Sequence, residues 1–287
     1  MKKYIVLLCI SALTTTKMTL AQKKSWFDKN VLIGQSMETA EQKKEPAQFQ
    51  ITLPHKDSSS WLLDIGVSVK LGSQSPRLIS KLTTEFHKNT LTDEKQNNFS
   101  LGYSYKYLIP GGKTTDWFSV GDIKYVYDGE KIKNSVAANL LFTFSNDESK
   151  FLHWNANKYF NKAKQAIFLS IFGGVQIQDI LKAKNDSAKG FIVRPIFTPT
   201  FILDFNSAKD SSTVLRFSAT YTGRKDMVNS TKFAREDYTH LLKAGAEIFL
   251  AYKPVKVSLG FSFNYGSDPL KGLKQQQYWL FAINLQK

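Results

Sequence analysis

The chain has 287 residues, a formal charge of +15 and 42% hydrophobic residues, enough for one large domain or two small ones. Its single cysteine, Cys9, excludes a disulfide scaffold or a thiolate metal site downstream of it, and His55, His87, His153 and His240 lack metal-ligand spacing. The lysines are dispersed over turns and polar strand faces instead of forming a stripe, so neither a cofactor nor nucleic acid is expected.

Lys2 and Lys3 precede an apolar run over 4–13 that is too short for a membrane-spanning helix. Thr19, Leu20 and Ala21 then supply a small-residue cleavage site, so 1–21 reads as a signal peptide cut before Gln22. Its removal takes Lys2, Lys3 and Lys17 and leaves +12. Residues 22–47 are polar. They are expected to form a flexible lead-in, or a small plug built on Trp26, Phe27, Val31, Leu32 and Ile33.

From 48 to 287 the dominant signal is a period of two, which marks strands with unlike faces. A first strand is expected over 48–53. The next, 61–71, sets Trp61, Leu63, Ile65, Val67, Val69 and Leu71 against Leu62, Asp64, Gly66, Ser68 and Lys70. In 78–87, Leu78, Leu82 and Phe86 oppose Lys81, Thr83, Glu85 and His87. Strands follow over 99–107, with Lys106 on the polar face, over 117–127, with Asp122 and Lys124, and over 136–144. The stretch 145–165 is ambiguous, and 151–160 reads equally as a strand or a helical excursion. The pattern resumes over 167–177 and 191–205. In the latter, Pro195 and Pro199 remove ladder donors and imply a bulged, short or broken strand. Strands over 215–221 and 242–252 lead to a closing hairpin, 255–265 and 278–287.

About 12 strands (10–14), mostly of roughly 10 or more residues, fit tilted spans of a bilayer better than soluble strands of about 5–6. Trp61, Trp117 and Trp279 fall at or just after strand starts, and Tyr252 and Tyr265 at strand ends, all on the apolar face, as an interfacial aromatic belt requires. The expected fold is therefore all-β, a closed antiparallel transmembrane β-barrel. The leader, the alternation and the aromatic placement resemble the small, porin-like outer-membrane β-barrel proteins of Gram-negative bacteria. That family's closing strand usually ends on an aromatic residue, whereas this chain ends on Lys287. The resemblance implies the outer membrane as location, with outer-membrane lipid, lipopolysaccharide and the barrel-assembly machinery as partners. With an even strand count, counting back from the C-terminus places 223–236 and 266–274 outside, and Lys253-Pro254 and 206–210 inside.

Candidate lumen-lining charges are Lys70, Lys81, Lys106, Lys124, Arg194, Arg216, Lys243 and Lys256 against Asp64, Glu85, Asp122, Asp204 and Glu247. Eight basic against five acidic groups fit either a charge network filling the lumen or a narrow, mildly anion-favouring pore. Glu85 and His87 share a face, and His240 lies at a predicted rim, yet no serine can be paired with either, and no catalytic residue is assigned. Loop acids Asp93-Glu94 and Asp147-Glu148 read as solvated charges. Three functions remain open: a non-enzymatic narrow channel for small polar solutes, a closed structural or surface-binding barrel, and a lipid hydrolase or protease.

Overall fold

The computed structural model describes residues 26–34, 36–37, 47–52, 60–72, 75, 77–90, 95–111, 115–149, 152–208, 210, 212–232, 238–252, 256–268, 270 and 273–286. The expected leader, most of the lead-in, His55, Asp93-Glu94, Lys253-Pro254 and Lys287 lie outside them. The chain divides after Asn30 into two units, of which the first is described only over 26–30. In the first, α1 (Trp26–Asn30) is a single turn in which the Asn30 amide donates to the Trp26 carbonyl at 2.8 Å.

The second unit is one antiparallel sheet of 15 strands. Eleven of them are 11–18 residues long: β3 (Ser60–Lys70), β4 (Leu78–Asn89), β5 (Gln96–Ile109), β6 (Asp116–Asp128), β7 (Lys133–Ser145), β9 (Gln165–Lys182), β10 (Gly190–Asn206), β11 (Thr213–Arg224), β13 (Thr239–Ala251), β14 (Lys256–Asp268) and β15 (Leu273–Gln286). They follow one another in sequence order across the sheet. Four short strands complete it: β1 (Val31–Gly34), β2 (Gln48–Thr52), β8 (Asn157–Phe160) and β12 (Val228–Asn229). All twelve strands expected from the alternation are present. Below, the upper end is the one where β10 starts and β11 finishes.

Three details differ from expectation, each for a local reason. The sheet is not closed: Cα atoms of β15 and β2 approach within 8 Å, but no ladder joins them. The first wall position is divided between two pieces. β1 pairs with Val67–Val69 and Gly66, and β2 pairs end to end with it along Ser60–Asp64 of the same β3 edge. Second, 151–160 is not a further long strand. β8 lies against Gln165–Phe168, the lower part of the β9 edge that β7 leaves free, so β7 and β9 remain antiparallel neighbours. Left-handed Asn161, Lys162 and Ala163 turn β8 back into β9. Third, β10 is neither short nor broken. The Lys225 and Met227 N–H groups reach the Pro195 and Val193 carbonyls, so odd-numbered β10 residues direct their backbone groups toward β11 and β12. Both proline gaps fall on that side, where the β11 ladder skips Thr198 and Pro199, while the β9 ladder runs unbroken from Gly190 to Phe205.

The two faces are inverted relative to a soluble sheet. Ile123, Leu101, Leu140, Phe197 and Phe261 are exposed, at 53% for Ile123, while Ser68, Glu85, Ser104, Gln176, Gln178 and Arg194 on the opposite face are buried. The sheet curls around this polar face. The Asn98 amide of β5 donates to the Leu270 carbonyl in the β14–β15 turn at 3.1 Å, and Leu270 packs with Val126 and Ala137. That turn therefore crosses the upper end of the enclosed space. At mid-height the space is filled by Val120, Leu141, Phe172 and Ile196, with Phe172 at 0% exposure.

Candidate functional site

The enclosed face carries three polar clusters, each assembled by strand register. In the first, pairing sets Asp64 opposite His87, Gly66 opposite Glu85, Glu85 opposite Ser100 and Gly102 opposite Lys124. Glu85 is the hub. The Ser36 and Ser100 hydroxyls donate to its carboxylate at 3.0 and 3.3 Å, and the Met37 N–H donates to the Ser36-bound oxygen. Lys124 Nζ lies 3.9 Å and His87 Nε2 3.8 Å from its other oxygen. Asp64 holds His87 by Nδ1 at 3.0 Å, which turns Nε2 toward Glu85. Gly66 makes room for this arrangement: a Cβ there would stand 3.0 Å from Met37 Cγ. A buried carboxylate thus receives several donors and two basic neighbours, which is how an interior charge is tolerated.

The second cluster lies at the upper end. Arg194 donates from Nε to Asp226 at 2.6 Å and from Nη1 to Gln178 at 3.0 Å. Gln178 passes the chain on to the Ser135 hydroxyl at 3.0 Å, and Asn229 donates to the second Asp226 oxygen at 3.2 Å. Arg224 reaches Asp268 at 3.5 Å. The 224–232 segment is held in place because β12 pairs with Ile192 and Val193. The third cluster is lower: Arg216 grips Asp204 through Nε and Nη2 at 2.7 and 3.1 Å and lies over the Phe249 ring at 5.4 Å. In the adjacent pair Ser258 donates to Glu247 at 2.5 Å.

The remaining expected lumen residues fall around these clusters. Asn139 bridges Asp122 and Gln176 at 2.9 and 2.8 Å. Lys106 Nζ sits 4.3 Å from the Phe118 ring centre. Lys70 is exposed and directly opposite half-buried Lys81, a like-charge pair at the lower end, and Lys243 is half-buried. The backbone of Lys256 pairs with Gln286, and its side chain lies outside the described residues. Sequence reasoning does not single out Asp226, Arg224, Asp268, Gln178 or the Ser36–Met37 pair. Asp226 lies in a polar loop whose return onto the sheet leaves no local pattern, and Asp268 ends β14 where the apolar alternation has already stopped.

Of the expected interface aromatics, Trp61 opens β3, Trp117 opens β6 against Phe144, and Tyr252 follows β13 and donates to the Thr213 carbonyl. Tyr265 lies three residues before the end of β14. Trp279 is not at a strand start as expected, because β15 begins at Leu273 and not at 278. It therefore stands in mid-strand, ring to ring with Phe261 and Phe263 at 5.0 and 4.6 Å. His240 lies among Tyr221, Tyr238 and Tyr265, at 6.3, 5.8 and 5.1 Å between ring centres, and the Tyr221 and Tyr238 hydroxyls are hydrogen-bonded to each other. It is an aromatic stacking partner at the upper end. His153 bonds the Asn157 carbonyl in the 146–164 loop.

The class defined by these features is an all-β antiparallel sheet with an apolar exposed face and a polar, ion-paired enclosed face. No family model, no curated protein and no solved structure matches the chain.

Proposed function

We propose that this chain is an outer-membrane β-barrel protein with a closed polar interior, acting as a structural or surface-binding barrel. The observation that carries the reading is the inversion of the faces: Ile123, Leu101, Leu140 and Phe261 face outward, while Glu85, Arg194, Asp204 and Gln178 face inward. A folded chain in water does not leave so extended an apolar band uncovered. In a bilayer the same band faces hydrocarbon, the ladders between neighbouring strands satisfy most of the backbone internally, and pairing of β15 with the nearby β2 edge would satisfy the rest. Thirteen residues at about 3.3 Å each, tilted by about 45°, rise roughly 30 Å, the thickness of the hydrocarbon core. Lipid and lipopolysaccharide would then surround the wall, with insertion by the assembly machinery.

The closed reading is favoured over a channel by the near-complete burial of Phe172, Gln176, Gln178 and Val120 on the enclosed face. A narrow channel for small polar solutes is the second reading. It draws on the partial exposure of Lys243, Glu247 and Ser262 on β13 and β14. The refolded full chain should shift in gel migration on boiling, as a detergent-resistant barrel does, and should show no unit conductance in a planar bilayer. Identical migration before and after boiling refutes the barrel. Stable conductance steps refute the closed interior and favour the channel.

A further inference from the structure

We propose that Ser36 and Met37 are a releasable stopper, docked on Glu85 from inside the wall, and that undocking opens a polar passage along the β3–β6 side. The inference rests on the closed-barrel reading.

The chain reaches this position by a specific route. β1 runs antiparallel to β3 and ends at Gly34 opposite Gly66. Two residues later the chain has left the ladder for the enclosed face, where Ser36 is 2% and Met37 6% exposed. β2 takes up the wall position again, pairing with the other half of the same β3 edge. The interruption of the first wall strand therefore coincides with the inward turn of the chain.

The dock is built from opposing sides. Glu85 accepts from the Ser36 hydroxyl and the Met37 N–H through one oxygen, and from the Ser100 hydroxyl of the wall through the other. Met37 covers the side-chain-free surface of Gly66, the residue opposite Glu85. Among the described residues, Ser36 and Met37 both bond to the same carboxylate oxygen. Charge-assisted bonds of this kind are strong in a dry interior and are lost together when the shared acceptor is removed. Glu85 also balances Lys124 and His87, so undocking would leave a charged, hydratable surface in place of a thioether.

The test uses Met37→Cys in the full chain with Cys9→Ser, giving one thiol for a water-soluble maleimide. The Met37→Cys thiol should label slowly, and adding Glu85→Ala should speed labelling by about tenfold or more, the loss expected for a charge-assisted hydrogen bond. Glu85→Gln, which keeps an acceptor oxygen, should fall between. Glu85→Ala should also produce conductance where the parent is silent, and a Met37→Cys/Gly66→Cys disulfide should silence it again. Fast labelling with Glu85 intact overturns the docking, as does labelling that Glu85→Ala does not change. Fast labelling without conductance overturns the passage. Heat-modifiable migration of each variant reports folding separately, and its absence in the parent would sink the barrel reading while the labelling comparison still decides the dock.

Discussion

Replacing Arg194 with alanine tests whether the enclosed polar face is a dry interior or a solvated one. In the structure Arg194 is the cation facing Asp226, whose side chain is 3% exposed, and it also satisfies the Gln178 carbonyl. Removing the guanidinium leaves a buried carboxylate without its closest counter-charge. Breaking a buried pair in this way costs about 3–5 kcal/mol, whereas replacing both partners with apolar groups of similar volume is close to neutral. Arg194→Ala should therefore raise the unfolding equilibrium constant on the order of a thousandfold, at about 1.4 kcal/mol per tenfold. Arg194→Met with Asp226→Leu should recover most of that loss. The assay is urea unfolding of the refolded protein in lipid vesicles, followed by tryptophan fluorescence and arranged as a double-mutant cycle. The exposed Asp186–Lys189 bridge is the control, and its Lys189→Ala variant should unfold as the parent does. A loss below about 1 kcal/mol for Arg194→Ala, or a double variant as unstable as the single one, would show that water reaches this cluster and refute the dry-interior argument.

Other substitutions probe the two faces and the turns. Ile123→Arg on the apolar face should cost about 2–4 kcal/mol if that face lies in hydrocarbon near mid-bilayer, and under about 0.5 kcal/mol if it lies in water. Unfolding measured in vesicles separates the two. Gly102→Ala places a Cβ 2.5 Å from the Ile123 carbonyl oxygen and should cost about 1–3 kcal/mol, while Gly173→Ala, with nothing within 4 Å, should be tolerated. Circular-dichroism melts in detergent would compare them, and equal melting would contradict the close approach of β6 to Gly102. The Lys189 hydrogen bond, then its charge, hold the Asp186 carboxyl below the ordinary aspartate range. Any stability from this contact is present above the unfolded value and is lost as pH falls through the lowered folded one. Carboxyl carbon shifts should show the Asp186 midpoint rising in Lys189→Ala, and an unchanged midpoint would remove Lys189 as the cause.

The wall was legible in the sequence because its rule is local. Residues 61–71 announce β3 by setting Trp61, Leu63, Ile65, Val67 and Val69 against Asp64, Gly66, Ser68 and Lys70, and the structure keeps that partition. The same rule found β10 despite Pro195 and Pro199, but it could not say which neighbour would lose the donors. That depends on backbone direction relative to β11, which side-chain alternation does not encode. The rule also failed at both margins of the pattern. β15 starts at Leu273 because Leu273, Gln276 and Gln277 pair with Asp268, Gly266 and Tyr265 of β14, in a stretch from Lys274 to Gln277 without any apolar alternation to mark it. β1 is only four residues long and pairs with a strand more than thirty residues away, so its pattern was too short to distinguish a strand from a docked apolar patch.

The interior was legible as residue types and not as contacts, for a reason that follows from sheet geometry. Neighbouring wall strands pair in order, so Asp204 with Arg216 could be inferred once β10 and β11 were adjacent. Other bonds that fill the space do not obey that order. Ser36 reaches Glu85 across 49 residues, and Asn98 reaches Leu270 across 172. These contacts arise only when the sheet curls far enough to bring its margins over its middle. Curling places polar side chains from many strands in one volume, and each must find a partner there or carry the cost of burial. Loops and the split first strand supply the partners that the wall itself lacks. Ser36 and Met37 complete Glu85, Asp226 completes Arg194, and the 270 turn completes Asn98. The enclosed face is thus satisfied by segments outside the regular pattern, and those segments are where a change of state costs the fewest ladder hydrogen bonds.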